Sequence, residues 1–244
     1  MTPLTLAAMC LLTLAAFTIR VVTGFGSAIF LSPIFSNILP PKEAVVLIIL
    51  LESFVNLIFV LREKMNFRLK EVYLGGFAGI AAGIFLFSIV SQEIIGLLIG
   101  IGMAVLASLL LFGVNFKVRK VKPLFLSLGF VSGAMGVLTG VNGPQIVLGL
   151  TNQGYSTAFI RSFMITYLVI IDTVTLSAFV IFGHVSSETL LKFVFLAPFV
   201  GAAYILGREI LGRLDGESLR KVMLCVVIVL SAILVIRYGG GLFG

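Results

Sequence analysis

The sequence predicts an all-α integral membrane protein. It consists of two inverted repeats, each a broken or re-entrant helical hairpin followed by three transmembrane helices. Three observations lead there. Of 244 residues, 60% are hydrophobic and 11% charged, with mean hydropathy +1.23, whereas a soluble domain carries about a quarter charged residues. Several apolar runs reach the roughly 20 residues that a helix needs to cross a bilayer. They are continuous rather than alternating, which excludes a β-barrel. Finally, polar glycine-rich breaks interrupt two runs, at Thr23-Gly24-Phe25-Gly26-Ser27 and at Thr139-Gly140-Val141-Asn142-Gly143-Pro144-Gln145.

The first repeat, residues 1–116, opens with a hairpin over 3–39 whose arms, Leu4–Ile19 and Ala28–Leu39, flank the first break. Leu4–Ile19 is read as structural rather than as a signal peptide, because no Lys or Arg precedes Arg20 and no cleavage site leads into a polar domain. Helices over 44–61, 72–90 and 94–114 follow. The second repeat, residues 117–244, has a hairpin over 123–156, then helices over 160–182, 189–206 and 219–236. Gly239-Gly240-Gly241 reads as a flexible end, and Lys42-Glu43 as a solvated loop pair. A shift of the numbering by 116 lays Gly24 on Gly140, Ser27 on Gly143 and Asn56 on Asp172. Each half holds five segments, an odd number, so the halves insert with opposite orientation, an arrangement found in transporters with discontinuous helices.

Charge placement supports the hairpins. Twelve of the 17 Lys and Arg residues fall in three short loops, Arg62–Glu71, Asn115–Lys122 and Arg208–Lys221. The positive-inside rule puts all three in the cytoplasm. An even number of crossings must then separate the second from the third, which holds only if Pro123–Leu150 folds back at its glycine break. The net charge of +7 is therefore mostly topology, and no nucleic-acid partner is expected. Both termini are expected outside, in a multi-pass protein of the cell membrane, of the bacterial inner-membrane type.

A helix broken in hydrocarbon frees backbone groups that cost several kcal/mol each unless protein or water covers them. Pro144 suits the first turn of a new helix. The arm starting there points free N–H groups and partial positive charge into the protein, as Ser27 does for the first arm, and such a terminus attracts anions. Thr23, Ser27, Thr139, Asn142 and Gln145 add side-chain donors. The glycines Gly75, Gly76, Gly79 and Gly83, and Gly96, Gly100 and Gly102, read instead as close helix packing.

Gly24-Phe25-Gly26-Ser27 with Pro33, and Gly133-Ala134-Met135-Gly136 with Thr139-Gly140-Val141-Asn142-Gly143-Pro144, resemble the paired glycine motifs of the TauE/SafE sulfite exporter family. The resemblance spans essentially the whole chain. It implies transport of small sulfur-containing or organic anions such as sulfite or sulfonates, coupled to protons. Ser27 and Asn142 depart from the family's usual run of glycines.

Ionisable residues inside spans are expensive and default to functional roles. Glu52, with Asn56 one turn on, and Asp172 in the matching helix are candidates to carry a coupling proton; each also has a plain structural reading as a hydrogen-bonded carboxylate. Arg20 is a counter-ion for a bound anion if the first arm ends at mid-depth, and an interfacial anchor if that arm spans fully. The substrate-binding candidates are Arg20, Thr23, Gly24, Phe25, Gly26, Ser27, Thr139, Gly140, Asn142, Gly143, Pro144 and Gln145. With a single histidine, His184, no metal or other cofactor is expected. Any aromatic belt rests on Tyr73, Tyr155, Tyr204 and Tyr238. The expected partners are a small anionic substrate and the lipid bilayer, with a homodimer as an option. The expected function is a secondary transporter working by alternating access, not an enzyme; the alternative is a passive anion channel.

Overall fold

The computed structural model describes residues 3–23, 26–62, 65–113, 118–210 and 216–243. Among them, ten helices follow one another without a strand: α1 Pro3–Thr23, α2 Ser27–Ile38, α3 Pro41–Arg62, α4 Lys70–Ile89, α5 Gln92–Phe112, α6 Val121–Thr139, α7 Pro144–Asn152, α8 Thr157–Ile181, α9 Ser187–Ile210 and α10 Gly216–Phe243. Eight are long and apolar enough to cross a membrane. The two short ones are α2, with 12 residues, and α7, with 9. Each hairpin thus pairs a long arm with a short one. The first arm runs past Ile19 to Thr23, because nothing in Arg20-Val21-Val22 breaks a helix.

Helix contacts come in matched sets when each helix is advanced by five. The pair α4–α6 answers to α9–α1, α3–α9 to α8–α4, and α2–α10 to α7–α5, while α3–α8 and α5–α10 map onto themselves. The centre is α3, whose residues 44–52 are all buried, packed between α8 and α9.

The glycines outside the breaks set how closely these helices approach. A Cβ added at Gly75 would overlap the Leu126 carbonyl oxygen of α6, and one at Gly79 the Phe130 oxygen. Gly129 and Gly133 make the reciprocal approach to Val72 and Gly76. Gly207 of α9 meets Val21 and the Thr18 carbonyl of α1, and Gly96 of α5 accepts the Tyr238 ring of α10. In lipid, where apolar burial drives little association, such backbone approach supplies the packing.

Three expectations need correction. Gly239–Gly241 continues α10 to Phe243 rather than forming a loose end. The preceding residues hold that end: Tyr238 packs on Gly96 and Arg237 Nη1 donates to the Asn37 carbonyl at 2.8 Å. Lys42 and Glu43 are not a solvated loop pair but the first turn of α3, which starts at Pro41. Lys192 of α9 reaches Glu43 at 2.6 Å and Glu188 at 2.5 Å. Tyr73 is buried and packs against Phe163 and Tyr167, so it contributes nothing to an aromatic belt.

Candidate functional site

The two breaks line one cavity. From the first come Gly26, Ala28 and Ile29, from the second Val141, Asn142, Gly143 and Pro144, with Arg20, Glu52 and Leu168 completing the wall. Gly26 precedes α2 with φ 111°, and Gly140 ends α6 with φ 76°, backbone that only glycine adopts without strain. Pro144 takes the first turn of α7. The cavity measures about 10 Å³, room for one water.

Arg20 and Glu52 of its wall belong to one chain of contacts that continues behind it to Asn56 and Asp172, and each of the four is 2% exposed or less. Arg20 pairs with Glu52. It also donates from Nη2 to Asn56 Oδ1 at 2.6 Å and from Nη1 to Ser27 Oγ at 3.4 Å. Ser27 Oγ in turn donates to Glu52. Asn56 Nδ2 donates to Asp172 Oδ2 at 2.7 Å and to the Leu168 carbonyl at 3.2 Å. Asn142 Nδ2 donates to Asp172 Oδ1 at 2.5 Å. Arg20 is therefore buried in the bundle with a carboxylate partner, not an interfacial anchor, even though α1 is long enough to span. Its Nε is buried without a hydrogen-bond partner.

Gly136 leaves space for Asn142: a Cβ there would lie 3.0 Å from the Asn142 Cβ. Sequence reasoning missed two residues that hold Asn142. Ser132 Oγ donates to its carbonyl, and Tyr167 OH donates to Ser132 Oγ at 2.9 Å. Tyr167 ends a ladder of rings that starts at Tyr155, just ahead of α8, and continues along that helix through Phe159, Phe163 and Tyr167, at centroid spacings of 4.8, 6.0 and 6.0 Å. The four-residue spacing of those aromatics was the available signal.

Other candidates stand off the cavity. Thr139 Oγ1 bonds back to the Met135 carbonyl at 2.7 Å, while its own carbonyl accepts from Ser32 Oγ at 2.6 Å, tying α2 to the second break. Gln145 Nε2 reaches the Val141 carbonyl at 3.4 Å, and its Oε1 has no partner. Gly140 packs on Ile48. Gly24 and Phe25 lie outside the described residues, and Thr23 is described only as the end of α1.

A helical membrane bundle with two interrupted helices meeting at a buried charged cluster is the architecture of a membrane transport protein. The family model described as sulfite exporter TauE/SafE matches residues 9–234, and the chain belongs to that family. It is a multi-pass membrane protein of a transporter family. No curated protein and no solved structure matches the chain.

Proposed function

We propose that the chain is a secondary transporter of small anions of the sulfite or sulfonate type, coupled to protons. In this reading residues 1–116 and 117–244 are inverted repeats in the cell membrane, with both termini outside. Their relative rocking exposes the cavity to each side in turn. The observation that carries the reading is the burial of Arg20 beside the N-termini of α2 and α7, in a cavity walled by both breaks. A guanidinium together with helix N-termini is suited to a small oxyanion. The family membership supports the substrate class. The small volume of the cavity, about 10 Å³, favours a carrier over an open pore, since a channel needs a continuous water path.

Proteoliposomes test this. A carrier preloaded with unlabelled sulfonate accumulates labelled sulfonate by counterflow, and its flux saturates. Ohmic conductance without counterflow would overturn the reading in favour of a channel.

A further inference from the structure

In this cavity the place suited to an anion is already occupied. Arg20 contacts the Glu52 carboxylate, and the same carboxylate accepts from Ser27 Oγ, the first residue of α2. Glu52 thus takes the cation and, beside the start of α2, the hydroxyl that an incoming oxyanion needs. Asp172 is held differently. Each of its oxygens accepts from a neutral carboxamide, Oδ1 from Asn142 and Oδ2 from Asn56. Arg20 is linked to Asp172 through Asn56. The remaining space, about 10 Å³, is too small for a sulfonate group.

Resting on the anion-carrier reading, we propose that Glu52 is the substrate's internal competitor. Its carboxylate fills the anion position of the empty carrier. It gives that position up by taking a proton from water as the substrate anion moves onto Arg20 and Ser27, so one anion binds with one proton.

Charge counting selects this step. The cluster holds one cation, Arg20, and two carboxylates, Glu52 and Asp172. Adding an anion with both carboxylates ionised would set three negative charges around one positive charge in a buried site, where like charges repel far more strongly than in water. Protonating Asp172 would leave Glu52 still on Arg20, whereas protonating Glu52 frees the guanidinium. The other charges on the packed helices, among the described residues, lie towards the helix ends. Helix α2 carries none, Glu93 of α5 and Lys122 of α6 lie in first turns, Arg161 lies near the start of α8 and Arg208 and Glu209 near the end of α9, and Lys192 of α9 is held by Glu188 of its own helix and by Glu43, more than two turns from Glu52 along α3.

The test is isothermal titration of the purified full chain with methanesulfonate, a monoanion throughout the working pH range, in two buffers of different ionisation enthalpy. Wild type is expected to take up roughly one proton per anion, with affinity falling about tenfold per pH unit over that range. Glu52→Gln is expected to bind without proton uptake, with pH-independent affinity at least equal to that of wild type at acidic pH. Asp172→Asn is expected to retain the uptake. Wild-type binding without proton uptake, unchanged uptake in Glu52→Gln, or lost uptake in Asp172→Asn overturns the inference while leaving the carrier reading intact. Absence of any wild-type binding at every pH overturns the carrier reading and the inference with it.

Discussion

Asn56 donates its side-chain amide to Asp172 at 2.7 Å across a separation of 116 residues. That separation is the same shift that lays Gly24 on Gly140 and Ser27 on Gly143. Two residues that this shift lays on each other are therefore hydrogen-bond partners, where α3 meets α8. The contact is also unequal, with a neutral amide on α3 and a carboxylate on α8.

Asn56 serves three groups at once: Arg20 Nη2, Asp172 and the Leu168 carbonyl. Replacing it with Leu keeps similar volume and leaves those buried groups short of partners, at about 1–3 kcal/mol each. Asn56→Leu is expected to lower the melting temperature of purified protein and to reduce transport at least tenfold. Unchanged melting would show that the amide is dispensable.

Arg20 spreads its fork over Glu52, Ser27 and Asn56, which the single ammonium of a lysine cannot match. Arg20→Lys is expected to fold yet lose at least tenfold in transport. Arg20→Met leaves Glu52 as an unpaired buried charge, a loss of about 3–5 kcal/mol. The double variant Arg20→Met with Glu52→Gln is expected to melt above the single Arg20→Met variant. Thermal melts of wild type, Arg20→Met, Glu52→Gln and the double variant form the cycle, and additive losses would contradict the pairing.

The seam between α4 and α6 has no space for a methyl group at Gly75 or Gly79, where backbone oxygens block the position. Gly79→Ala is expected to destabilise by about 1–3 kcal/mol, as overpacking does. Gly201 of α9 has nothing within 4 Å of the same position. Gly201→Ala is therefore expected to be neutral or to stabilise by up to about 1 kcal/mol through helix propensity. Melting temperatures in one detergent compare the two directly.

His184, in the connection between α8 and α9, bonds Ser88 Oγ through Nε2 at 3.0 Å and lies edge-on to Phe87 and Phe179. Burial pushes its pKa below the ordinary 6.5, and Lys42 adds to that. The folded protein then binds fewer protons here than the unfolded chain, so this contribution is complete above pH 6.5 and is lost as pH falls below it. His184→Gln is expected to flatten the part of the stability profile below pH 6.5, read as melting temperature against pH. An unchanged slope would remove His184 as its source.

The breaks were legible because glycine, proline and carboxamides in a hydrocarbon-length run demand a reason, whatever the fold. The membrane helices were legible for the same cause, seen from the apolar side. The partners were not. A lipid-facing surface is as apolar as a helix–helix interface, so the pattern of Leu, Ile and Phe did not say which side of α1 turned inward. That left Arg20 open between anchor and counter-ion until Glu52 was found against it. Tyr167 and Ser132 escaped because neither is unusual in a membrane helix, and only Asn142 gives them meaning. Lys192 escaped because its partner Glu43 lies 149 residues earlier.

The α1–α9 seam also bears on biosynthesis. A ribosome delivers α1 first, but the helix it closes against begins only at Ser187, so the nascent α1 sits in the bilayer while most of the chain is still being made. Arg20 meets Glu52 as soon as α3 inserts, and its charge is covered early. Thr18 and Val21 wait for Gly207, so a chain that terminates ahead of α9 leaves that face of α1 without the helix that packs on it.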